Sequence, residues 1–119
     1  MRIEGKENKV LDLSMKFAVR IVKFYKHFST VKKEFVLSKQ LLRSGTSIGA
    51  NVFEAQDAQS KADFGSKMNI ALKEANESFY WIKLLFDTEY ISKTEYESLQ
   101  KDILEIRNIL SAIVKTSFT

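Results

Sequence analysis

Val10, Leu13, Phe17, Ile21, Phe24 and Phe28 recur at steps of three and four, the period of one buried helix face. Leu11, Ala18, Val22 and Tyr25 widen that face to nearly half the circumference. Lys9, Lys16, Arg20 and Lys23 lie opposite, with Lys26 at the margin. This pattern predicts a first helix over about 9–28 and a short turn near Ser29–Val31. Phe35, Leu41, Leu42, Ile48, Val52 and Ala55 then keep helical phase, which predicts one long second helix over about 32–59. A third helix over about 62–87 carries Phe64, Met68, Ala71, Leu72, Ala75, Phe79, Ile82 and Phe86 on its core face. Ile70, Trp81 and Leu84 fall on a second arc of that helix. The fourth helix, about 93–115, buries Tyr96, Leu99, Ile103, Ile106, Leu110 and Ile113. It opens on two candidate capping boxes, Ser92 with Glu95 and Thr94 with Glu97.

No segment alternates with strand period, and no hairpin dipeptide appears. Four long helices with short connections predict an all-α chain, an antiparallel up-down-up-down four-helix bundle with residues 1–119 as a single domain. The absence of proline agrees with long helices and short connections. A chain of 119 residues is enough for one core.

The stretch RSGTSIGANV at 43–52 interrupts an otherwise bulky helix with two glycines. It is not a phosphate loop: a P-loop needs a lysine after its last glycine and a strand before its first, and neither is present. Each glycine inside a helix costs roughly 0.5–1 kcal/mol against alanine. Gly45 and Gly49 are therefore read as helix-packing positions, where another helix or a bulky aromatic comes close. Gln40, Arg43, Ser47, Asn51 and Glu54 form a polar stripe along the same helix at steps of 3, 4, 4 and 3. That stripe fits either hydrogen bonding against another surface or ordinary solvent exposure.

The net charge of +4 is unevenly placed. Residues 1–50 hold 11 Lys/Arg against 4 Asp/Glu, and residues 51–119 hold 8 against 11. Such asymmetry points to an anionic partner or to contact between copies. The chain has no cysteine, which removes disulfides, thiolate metal sites and cysteine nucleophiles. His27 is the single histidine, so no metal-binding histidine pair can be assembled, and the serines have no histidine base in a recognisable motif. Glu74 and Glu77 share a helix but lack histidine or cysteine partners. We expect no catalytic residues, no metal, no cofactor and no small-molecule substrate. No apolar run is long enough for a membrane span and the amino terminus has no signal-peptide pattern, so a cytoplasmic protein with no membrane partner is expected.

The stretch LLRSGTSIGANVFEA resembles the signature of a bacterial four-helix-bundle family named for intervening sequences in 23S ribosomal RNA genes. The shared pattern is Arg43, Ser47, Ile48, Asn51 and Glu54, followed by Phe64, Asn69-Ile70-Ala71 and the Tyr90-Ile91-Ser92 turn. The resemblance spans about residues 8–115. Many relatives carry proline where Gly49 stands, so this helix should bend less. The resemblance implies assembly as a ring-shaped homopentamer. One branch, the accessory variability determinants of diversity-generating retroelements, has a basic surface, binds nucleic acid and works with a reverse transcriptase.

A pentamer would account for the wide apolar arc of the first helix and for Ile70, Trp81 and Leu84 as subunit-interface residues covered by a neighbour. The competing expectation is a Trp81 that lies on its own subunit. Lys16, Arg20, Lys23, Lys26, Lys39 and Arg43 are the candidate nucleic-acid-binding residues, reading RNA or DNA by charge or shape, with stacking aromatics not evident in the basic half. The alternative is a homo-oligomeric adaptor or scaffold that binds a protein and no nucleic acid.

Overall fold

Lys6–His27 forms the first helix, α1, in a computed structural model that describes residues 6–117. The others are α2 (Val36–Ala55), α3 (Lys61–Asp87) and α4 (Lys93–Ser117). Consecutive helices pack side by side and α4 closes onto α1, giving a four-helix bundle of 44 × 21 × 19 Å. At 1.5 Å per residue the longest helix, α3, spans roughly 40 Å, which accounts for the long dimension.

The core follows the heptad-like spacing of each helix. Val10, Phe17 and Ile21 meet Leu41, Ile48 and Val52, with Met68, Ala71, Ala75 and Ile82 from α3 and Leu99, Ile103, Ile106 and Leu110 from α4. Phe24 stacks on Phe28, and Phe86 on Tyr96, each at 4.3 Å between ring centroids. Val22, expected to widen the core face of α1, is instead exposed.

The connection between α1 and α2 differs from the expected turn. Phe28–Lys32 continues α1 as a π-helical turn. Lys33 then takes a left-handed conformation, φ 56°, and its amide returns to the Phe28 carbonyl. The second helix therefore starts at Val36 rather than near residue 32. The group that starts it is Glu34, whose carboxylate accepts the amides of Val36, Leu37 and Ser38 at 3.0, 2.9 and 2.8 Å. A helix start leaves its first amides without partners, and this one side chain takes three of them. The helix ends at Ala55 rather than near residue 59, because the amides of Gln56, Asp57 and Ala58 bond the carbonyls three residues back. That tightening closes the last turn and stops propagation.

Ser60 caps α3 by accepting the Asp63 amide at 3.0 Å. Ser92 and Glu95 form the reciprocal capping box before α4, at 3.1 and 3.2 Å, and of the two candidates this is the one the chain uses.

Gly45 and Gly49 lie buried where α1 crosses α2. A Cβ on Gly45 would come within 3.1 Å of the Ile21 side chain, and one on Gly49 within 3.2 Å of the Ser14 carbonyl oxygen. Two buried serines join the next pair of helices: Ser78 of α3 donates to Ser44 of α2 at 2.9 Å.

Candidate nucleic-acid interface

The six cations singled out from the sequence fall into two groups. Half are already engaged. Arg20 donates to Asp102 of α4 at 2.7 Å and to the Ser98 hydroxyl at 2.9 Å. Lys16 pairs with Asp12 one turn back at 3.1 Å. Arg43 donates to Glu77 and reaches Glu74 at 3.5 Å, both on α3. Lys23, Lys26 and Lys39 are exposed and make no ion pair among the described residues.

Those three sit toward the C-terminal end of α1 and the N-terminal end of α2, at one end of the bundle. The connection adds Lys32 and Lys33. The Lys32 amine donates to the Tyr90 carbonyl at 2.9 Å and lies 5.6 Å from the centre of the Phe28 ring. That bond ties the α1–α2 connection to the turn before α4, where Tyr90 packs 6.4 Å from Phe28. Glu34 adds an acid here, but its carboxylate points into the α2 amides. Burial raises its pKa, while the bonds from Leu37, Ser38 and Val36 outweigh burial and hold it below the usual carboxylate value.

The same end exposes apolar side chains. Val31 is 64% exposed, Phe35 51% and Val36 71%. An exposed aromatic was not expected in the basic half. Its signal was the left-handed break: with the helix starting at Val36, Phe35 leaves the core phase it would have kept in a continuous helix.

The polar stripe on α2 is largely turned inward on itself. Ser47 donates to the Arg43 carbonyl at 2.7 Å, and Asn51 to the Ser47 carbonyl at 2.8 Å. Gln40 and Glu54 at its ends are exposed. Arg43 belongs to a second arrangement, a chain of groups across α2 and α3. The Trp81 indole N–H donates to Glu77 Oε2 at 3.0 Å, the same oxygen that Arg43 takes. The Trp81 bond lowers the Glu77 pKa, against burial and with help from Arg43. Burial raises the pKa of Glu74, Arg43 opposes that, and the Glu77 charge adds to it.

The three residues read as a subunit interface differ in exposure. Ile70 is exposed, while Trp81 and Leu84 are half-buried, with Trp81 packed against the core and edge-on to Tyr80 at 5.0 Å. Tyr80 is exposed beside them. A further apolar face was not read from the sequence: Met15 and Val19 of α1 and Phe53 of α2 are about half exposed. Met15 and Phe53 line a groove of about 380 Å³ floored by Ala18, Gly49 and Ala50. The spacing of Met15, Val19 and Val22 at four and three was a legible stripe, hidden by the broader apolar arc next to it. Among the described residues no group of His, Cys, Asp and Glu is placed to hold a metal ion, and no helix is long and apolar enough to cross a membrane.

The profile of the 23S rRNA-intervening sequence proteins matches residues 6–112, nearly the whole chain. The chain belongs to that family. A solved structure has the same fold: a protein with unknown function from the S23 ribosomal protein family of Bacteroides thetaiotaomicron, determined at 1.70 Å. It is 58% identical, superposes with a TM-score of 0.91, and the match covers 93% of this chain and 99% of that one. No curated protein matches the sequence. Membership of the intervening-sequence family and the shared fold thus agree on the helical bundle.

Proposed function

We propose that this member of the intervening-sequence family is a non-catalytic, homo-oligomeric cytoplasmic protein that binds RNA or DNA at the basic end of its bundle. The observation that carries the reading is the clustering of Lys23, Lys26, Lys33 and Lys39 without ion-pair partners among the described residues, with Lys32 between them. Elsewhere the engaged cations are matched by acids of the same chain, as Arg20 is by Asp102 and Arg43 by Glu77. Unmatched charge at one end attracts a polyanion and releases its counterions on contact. A ring would repeat the cluster on each subunit and raise the effective concentration of weak contacts. A pentamer is the assembly that the family resemblance implies. The exposed groove at Met15 and Phe53 and the exposed Ile70 and Tyr80 are the surfaces such an assembly would cover.

The test is fluorescence anisotropy with labelled RNA and DNA across roughly 50 to 200 mM salt, in which multi-phosphate binding weakens steeply. A Lys23→Ala/Lys26→Ala/Lys39→Ala variant should lose most of the affinity, and Lys16→Ala little. Equal binding by the triple variant and the wild type would show that the charge cluster is not the site.

The second reading, an adaptor that binds a protein, draws on the same apolar groove. It gains ground if no nucleic acid binds even at low salt.

A further inference from the structure

Unpaired charge accounts for phosphates, but it leaves the exposed apolar residues at the same end without a role. Phe35 is half exposed at the very start of α2, one residue from a glutamate committed to capping. Phe35 contributes little to the core from that position. Tyr90, 37% exposed, belongs to the turn before α4, and its carbonyl accepts from the Lys32 amine. Rings from two separate connections are thus interleaved with cations: Lys26 ends α1, Lys32 and Lys33 form the connection, and Lys39 lies one turn into α2 beyond Phe35.

We infer that this end of the bundle is a stacking platform for unpaired nucleotides, with Phe35 and Tyr90 taking base faces and Lys26, Lys33 and Lys39 holding the flanking phosphates. The inference rests on the nucleic-acid reading above and narrows it to single strands. A duplex keeps its base faces inside the stack and offers the protein phosphates and groove edges only. A single strand offers a ring and a phosphate in alternation, and a sequence-tolerant site answers with rings and cations in alternation. A lipid surface would instead call for a contiguous apolar face with its charges set along the opposite side. Val31 and Val36 supply apolar contact for the sugar edges next to Phe35. The left-handed Lys33 and the Glu34 cap hold the connection in one shape, so the platform is formed before the strand arrives.

The experiment compares an unstructured labelled RNA and single-stranded DNA of about 20 nucleotides, longer than one such site covers, with the matched duplex, by anisotropy at low salt. Wild type should favour the single strand. Phe35→Ala and Phe35→Leu should each weaken it by roughly 5- to 150-fold, the range for one base–aromatic stack, with duplex binding unchanged. Phe35→Trp should retain affinity, which separates loss of a ring from loss of the fold; circular dichroism checks the latter. Equal affinity for strand and duplex, with Phe35→Ala altering neither, overturns the platform and leaves the charge-based reading standing. No binding of any oligonucleotide overturns both. Binding to phosphatidylserine vesicles that depends on Phe35 and Val36, with no oligonucleotide binding, overturns both in favour of a lipid surface.

Discussion

Arg20 on α1 and Asp102 on α4 face each other at 2.7 Å, with Ser98 on the second guanidinium nitrogen. The pair crosses the thinnest of the helix seams, beside a groove of about 260 Å³ lined by Leu13, Phe17 and Ile106. It engages a cation on the basic face of α1 with an acid of the same chain. Both side chains are more than a third exposed, so the link is worth about 0.2–1 kcal/mol. Arg20→Ala should lower the melting temperature by at most a few degrees, since 1 kcal/mol shifts a domain of this size by roughly 4 °C. Oligonucleotide affinity should change far less than with Lys23→Ala or Lys26→Ala. A loss equal to theirs would return Arg20 to the binding face.

The two glycines of α2 should respond differently to alanine. At Gly49 the new Cβ would press on the Ser14 backbone oxygen at 3.2 Å, which moves only if α1 moves. The expected cost is about 1–3 kcal/mol, the usual range for overpacking. At Gly45 the neighbours are Ile21 side-chain carbons at 3.1 and 3.2 Å, and the helix gains roughly 1 kcal/mol of propensity in return. Gly45→Ala should therefore stay close to wild type in a urea melt. If Gly45→Ala proves the more damaging, the close approach of α1 and α2 does not set the cost.

Glu34 is the group by which acid should reach α2. Its folded pKa lies below the ordinary value of 4.5, so its contribution to stability is complete above that pH. The contribution is lost as pH falls through the lowered folded value, where the carboxylate takes up a proton. Removing the cap with Glu34→Ala should cost about 1–2 kcal/mol near neutral pH. Melts of wild type and variant should converge below pH 4.5. A gap that stays constant to lower pH would mean the charge of Glu34 contributes nothing to capping.

Trp81 is the single tryptophan, so its emission reports one site. Glu77 holds both its indole N–H and Arg43, whereas Glu74 reaches Arg43 alone, at 3.5 Å. Glu77→Gln should thus cost more than Glu74→Gln, about 1 kcal/mol for a charged hydrogen bond with partly exposed partners. It should also shift Trp81 emission, which Glu74→Gln should not. If copies of the chain cover the α3 face, acrylamide quenching of Trp81 should fall as protein concentration rises. Quenching independent of concentration, over a range where light scattering shows assembly, would place Trp81 outside the interface.

Much of this molecule is local in origin and so could be read from order alone. The 3.6-residue period placed four helices, because one face of each must leave water wherever the partner helix lies. The Ser92–Glu95 box and the signature around Arg43, Ser47 and Asn51 are contacts within a few residues or a shared register. Long-range pairing is a different matter. Whether Arg20 is free depends on Asp102, whose distance along the chain carries no signal of approach. The start of α2 was misplaced because the left-handed turn at Lys33 and the reach of Glu34 have no period. That displacement exposed Phe35, and the pairing of Arg20 and Arg43 with acids of other helices left the unmatched charge beside it. The sequence determined the bundle through short-range periodicity; the turn at Lys33 decided that Phe35 faces solvent, and the packing of helices distant in sequence decided that Arg20 and Arg43 meet acids.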